Sequence, residues 1–102
     1  MKDKYCKDTK SSKEINDAAK LLGIIAEKNR LKIICVLKRG EKCVCDIWQD
    51  LGIAENLASH HLKILKKAGI IISRKEGLRA IYSINTKEIK KLSSLLNKFL
   101  NK

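Results

Sequence analysis

No stretch of about 18 apolar residues occurs in the chain, which excludes a membrane-spanning helix. The opening stretch "MKDKYCKDTKSSKE" lacks an apolar core and does not read as a signal peptide, so a cytoplasmic location is expected. There is no internal repeat and no proline. A glycine-rich phosphate loop, paired carboxylates in a cleft-forming context and a Ser/His/Asp arrangement are also missing. Their absence sets an enzyme aside. Acidic residues are scarce, with 11 Asp/Glu against 23 Lys/Arg and a formal net charge of +12. Residues 63–102 hold eleven Lys/Arg and two Asp/Glu, an imbalance that suits a polyanion partner. Nineteen of the 23 cations are Lys, so a Lys-rich background composition is an alternative source of part of the charge.

At 102 residues and 44% hydrophobic, the chain is long enough for one small domain with a thin core, which an oligomer would reinforce. Residues 1–10 read as a flexible polar arm and 11–102 as the folded domain. "SSKE" matches a capping box with Ser11 as N-cap and Glu14 at N3. Ile15, Ala18, Ala19 and Leu22 follow as an amphipathic helical stripe. "AEKNRLKIICVLKRG" is a second helix, expected to be central because Leu31–Leu37 is apolar almost all round, and to stop at Gly40. A short helix over about Asp46–Leu51, a turn at Gly52 and a longer helix ending at Gly69 form a helix-turn-helix pattern.

The longer helix sorts by face. Ala58, His61, Leu62 and Leu65 form an inward stripe, with His61 expected as a hydrogen-bonded buried histidine. Asn56, Ser59, His60, Lys63 and Lys67 fall on another face, with donors and acceptors at its start and positive charge toward its end. A helix read in a DNA major groove has this distribution; a solvated surface is the alternative. Two strand-like runs, Ile70–Ser73 and Ala80–Ile84, flank the tip "RKEGLR" as a hairpin, and Arg74, Lys75 and Arg79 there suit phosphates. Asn85 and Glu88 open a last helix as a second capping box, and Ile89, Leu92, Leu95, Leu96 and Phe99 share a stripe. The fold class is therefore mainly α with a β-hairpin wing, a winged helix-turn-helix. Its homodimer would form through the N- and C-terminal helices, where Ile15, Ala19, Leu22, Leu92, Leu96 and Phe99 would be covered.

"LLGIIAEKNRLKII", "CVCDI", "ASHHLKILKKAGII" and "RKEGLRAIYSI" resemble, in order, the metal-sensing winged-helix repressors of the ArsR/SmtB family, most closely its cadmium- and lead-responsive CadC branch. The resemblance spans roughly residues 15–100. It implies a homodimer that represses a metal-resistance operon and leaves double-stranded operator DNA on binding metal. Some members of the family bind zinc in the last helix through Asp and His. "NTKEIKKLSSLLNKF" holds neither, so no zinc site is expected there.

Four cysteines remain: Cys6, Cys35, Cys43 and Cys45. Cys35, within the apolar run, is expected as core filler. Residues i and i+2 inside a helix point about 200° apart, so Cys43 and Cys45 can share an ion only from the loop that leads into a helix. "RGEKCVCDIWQDLG" puts them in such a loop. Two sulfurs do not complete a site, and Cys6 on the arm is free to supply a third. Three thiolates without a nearby histidine suit Cd(II), Pb(II), Bi(III), As(III) or Sb(III). The resemblance implies that the arm cysteine comes from the other protomer; it also brings a departure, one arm cysteine where relatives often carry two. Ordinary thiols remain an alternative for Cys43 and Cys45, as does a redox-responsive repressor that uses them as reactive thiols without metal. A disulfide across one residue is expected to be strained.

Overall fold

The computed structural model describes residues 9–101. Five helices and a three-stranded antiparallel sheet follow the order α1 (Thr9–Ile25), α2 (Lys28–Lys38), β1 (Lys42–Cys43), α3 (Val44–Leu51), α4 (Glu55–Lys67), β2 (Ile71–Glu76), β3 (Arg79–Ile84) and α5 (Thr86–Leu100). The architecture is a winged helix-turn-helix, as the pattern of helices and hairpin predicts. Cys6 and most of the expected arm lie outside the described residues.

α1 begins at Thr9, so Ser11 lies inside the helix and not at its cap. The side of α1 turned to the core differs from the face assigned to a dimer contact. Ala18 is buried and Leu21, Ile24 and Ile25 pack on the core, while Ala19 and Leu22 are exposed. α2 is capped by Glu27, whose Oε1 accepts the Arg30 N–H at 3.0 Å. Of its apolar run only Ile33 and Leu37 are fully buried; Leu31 and Cys35 face out, because the core touches one side of this helix. Cys35 is therefore an exposed free thiol, not core filler.

Gly52 closes α3 in the left-handed region at φ +67°, which L side chains rarely adopt, and turns the chain into α4. The inward stripe of α4 is buried throughout: Ala58, His61, Leu62 and Leu65. Leu62 and Leu65 meet Ile33, Leu37, Ile47, Ile70 and Ile71 in the core. Each such aliphatic side chain contributes about 1.5–3 kcal/mol by leaving water.

The wing is a hairpin whose strands run further into the tip than the sequence suggests. Glu76 pairs with Arg79 across a two-residue loop, Gly77–Leu78, with Gly77 at φ +63°. β1 adds a third strand on the other side of β3, pairing Lys42 with Tyr82 and Cys43 with Ile81, so the order is β1-β3-β2. A two-residue strand carries no alternation to read, and that segment reads as loop from the sequence. Asn85 holds the N-cap position of α5, where the capping box put the helix start, but its side chain does not cap the helix. α5 packs on α1 within the same chain, and Lys98 reaches Glu14 at 3.1 Å. The stripe assigned to a dimer contact is thus partly covered within the chain itself. Leu92 is buried, Ile15 and Leu96 are half-buried, and Phe99 and Leu100 stay exposed.

Candidate functional site

Cys43 is both the last residue of β1 and the N-cap of α3, with an extended backbone (φ −80°, ψ 163°). Cys45 sits in the first turn of α3. Only one of the two residues is helical, so the divergence expected inside a helix does not apply. Their Cα atoms stand 5.4 Å apart, within the span a disulfide bridges, and the two sulfurs are bonded. The bridge across one residue, weighed in the sequence as a strained arrangement, is thus formed here. The Cys43 side chain is buried and Cys45 half-buried.

Asp46 completes a cluster. One ligand atom from each of Cys43, Cys45 and Asp46 lies within 4.8 Å of the others. Asp46 Oδ2 is 3.3 Å from Cys43 Sγ, a contact that becomes an S–H···O hydrogen bond when the thiol is reduced. Arg79 Nη2 donates to the same sulfur at 3.1 Å. Once reduced, the pair offers two soft sulfurs and one hard oxygen, a donor set that fits a thiophilic cation. Sequence reasoning did not count Asp46 as a donor. Its spacing of three from Cys43, at a helix start, was the available signal.

The candidate DNA-reading face of α4 is open. Asn56, Ser59, His60, Lys63 and Lys67 are all exposed. Lys67 also borders a groove of about 580 Å³ between α1, α4 and α5. His61 points inward and is 6% exposed. Its Nδ1 has no hydrogen-bond partner among the described residues, and its Nε2 stops 3.9 Å from Glu27 Oε1, beyond hydrogen-bond reach. The expected hydrogen-bonded histidine is thus not what α2 and α4 build. The Glu27 carboxyl is held below its usual range, chiefly by the Arg30 N–H it accepts.

On the wing, Arg74 is committed to two carboxylates, Glu41 Oε1 at 2.5 Å and Glu76 Oε2 at 2.6 Å. These bonds raise its guanidinium further above its usual range and lower Glu76. Arg79 is committed to Cys43. Lys75 and Arg79 make no ion pair among the described residues, and Lys75 has no side-chain hydrogen bond there either. The partners Glu41, Glu76 and Cys43 were not legible as such, since two of the three contacts cross more than thirty residues.

The sequence model described as "Bacterial regulatory protein, arsR family" matches residues 27–73, from the cap of α2 into the wing. The arsenical resistance operon repressor of Bacillus subtilis is 35% identical over 71 residues, covering 69% of this chain and 68% of that protein. The chain belongs to the ArsR family. A cadmium resistance transcriptional regulatory protein CadC homolog from Staphylococcus aureus is 40% identical over 77 residues, 74% of this chain. The match spans 64% of that relative's own length. Among solved ArsR-type structures, a homodimeric winged helix-turn-helix DNA-binding domain of a possible ArsR-family regulator from Mycobacterium bovis superposes with a TM-score of 0.74 at 27% identity. That superposition covers 91% of this chain and 86% of the other. These relatives are transcriptional regulators and not enzymes. No described helix of this ArsR-family chain is long and apolar enough to cross a membrane.

Proposed function

We propose that the protein is a cytoplasmic transcriptional repressor that binds operator DNA as a homodimer and is released when its cysteines take up a thiophilic ion. The observation that carries this reading is the convergence of Cys43, Cys45 and Asp46 at the joint of β1 and α3, directly ahead of the helix-turn-helix. The names of the cadmium- and arsenical-resistance relatives support an ion as inducer. Cd(II), Pb(II), Bi(III), As(III) and Sb(III) are the candidate ions. Reduced Cys43 and Cys45 would hold the ion together with Cys6 from the segment ahead of α1; the chemistry supplied is soft Lewis acidity toward sulfur.

Asn56, Ser59 and His60 present donors and acceptors to base edges, and Lys63 and Lys67 neutralise phosphates. Lys75 does the same from the wing tip. Ile15, Ala19, Leu22, Leu92, Leu96 and Phe99 of α1 and α5 form the dimer contact. Drawing Cys6 to the β1–α3 joint displaces α3, on which α4 is stacked, and operator affinity falls. Reciprocity requires bound DNA to weaken ion uptake by the same factor, typically about 1–3 kcal/mol.

The test is fluorescence anisotropy on a duplex from the protein's own promoter, in reducing buffer, with and without Cd(II). Wild type is expected to lose affinity by about 5–150-fold and Cys43→Ser to respond little. An unchanged wild-type affinity removes ion-triggered release. The Cys43–Cys45 disulfide favours a second reading, a repressor of the same fold switched by thiol oxidation alone. Loss of affinity on oxidation in chelator-treated buffer, with no response to Cd(II), selects it.

A further inference from the structure

We infer that Leu78 is a wedge that enters the minor groove of the operator and opens a base step there, so that the wing reads DNA by its ease of bending. The inference deepens the proposed function and rests on it only in taking double-stranded DNA as the partner.

No other large apolar side chain among the described residues is as exposed as Leu78. Nothing within the chain asks for leucine at this position. Gly77 takes the left-handed conformation that the two-residue loop needs, at φ +63°, and no residue other than glycine has a positive φ, so Leu78 keeps an ordinary backbone. Loop positions of this kind favour small polar residues. Gly77 has no side chain and open space where a Cβ would stand, which makes Leu78 the one side chain that projects from the loop.

The tip is carried stiffly. β2 and β3 pair without a break from Ile71–Ile84 to Glu76–Arg79. Arg74 is tied to Glu76 on its own strand and to Glu41 ahead of β1. β2 leaves α4 through the turn at Ala68–Ile70, so the wing follows directly on the helix that carries Asn56, Ser59, His60 and Lys63. Lys75, three residues before Leu78, is exposed and makes no ion pair among the described residues.

A free cation beside a bare apolar side chain matches a partner with phosphates outside and stacked bases within reach. A duplex groove is that partner. Leucine is among the side chains that enter between base pairs from the minor groove, partly unstack them and kink the duplex by about 20–90°. Pyrimidine–purine steps open most easily, so such a wedge adds sequence preference without any hydrogen bond to a base.

The test uses the full-length chain in reducing buffer without metal ion, on duplexes from its own promoter. Energy transfer between dyes at the duplex ends reads the bend. 2-Aminopurine, moved in turn along the flanks, brightens where a base unstacks. Anisotropy against salt reads the phosphate contacts. Wild type is expected to bend the duplex and to brighten one flanking position in each half-site. Leu78→Ala is expected to lose both signals and to bind about tenfold more weakly, the burial of leucine less the unstacking avoided, with its salt slope kept. Leu78→Met is expected to restore bend and brightening. Lys75→Ala is expected to do the reverse of Leu78→Ala, lowering the salt slope by about 0.9 per contact and keeping the bend.

A duplex that stays straight and dark under bound wild type overturns the wedge and leaves the repressor reading intact. An undiminished bend in Leu78→Ala overturns it as well. Failure to bind the promoter duplex at all rejects both readings, whereas a missing response to Cd(II) rejects ion-triggered release alone.

Discussion

The Asn85 side chain donates to the Gly69 carbonyl at 2.9 Å while the Asn85 N–H donates to the Ile70 carbonyl at 2.9 Å. Two bonds from one residue thus fasten the start of α5 to the turn that follows α4. Asn85→Ala is expected to lower stability by about 0.5–1.5 kcal/mol in urea unfolding, the net value of one neutral hydrogen bond. Asn85→Asp is expected to cost more, because a carboxylate would face the carbonyl with no proton to share.

Burial separates the leucines. Leu62 is fully buried among Ile33, Ile47 and Ile71, whereas Leu78 stands free at the wing tip. Leu62→Ala is expected to cost about 2–5 kcal/mol. Leu78→Ala is expected to fall within about 0.5 kcal/mol of wild type. Chemical denaturation of both variants checks the pair; equal effects would contradict the packing described.

Glu27 links stability to pH. Its carboxyl is depressed in the folded chain, mainly by the Arg30 N–H, against a smaller upward push from burial, with the Asn29 N–H adding to the depression. The unfolded chain therefore binds this proton more readily. The contribution of Glu27 is present above its ordinary, unfolded pKa and is lost as pH falls through the folded one. Glu27→Gln is expected to be less stable than wild type at neutral pH and to converge with it in acid. Thermal melts across that range measure it; a constant difference would show that charge plays no part in the cap.

Lys63 and Arg74 should differ on DNA, although both were read as phosphate contacts. Lys63 is exposed and makes no ion pair among the described residues, whereas Arg74 is held by two carboxylates. Lys63→Ala is expected to reduce the salt slope of operator binding by about 0.9. Arg74→Ala is expected to leave the slope nearly unchanged. Equal flattening by both would mean that the Glu41 and Glu76 pairs open when the wing meets phosphate.

The helices were legible because their signals are local. A 3.6-residue stripe such as Ala58, His61, Leu62 and Leu65, or a stop such as Gly52, is written within a few residues. What escaped depends on partners far along the chain. Whether Leu31 and Cys35 are covered depends on which side of α2 meets the core, and an apolar run names no side. The pairing of Lys42 with Tyr82 and the contact of Arg79 with Cys43 join segments separated by more than thirty residues. The cysteines were found by spacing, but their bond was set by one extended residue at a helix start, which nothing in "EKCVCD" declares.

β3 lies between β1 and β2 and is hydrogen-bonded on both sides. Chemistry at residue 43 and the strand that bears the wing are thus neighbours in one ladder, separated by a single strand spacing of about 4.8 Å. Under the proposed function, a signal from the sulfurs at residue 43 to a DNA backbone at the wing has a path one rung wide, through main-chain pairing and not through a helix.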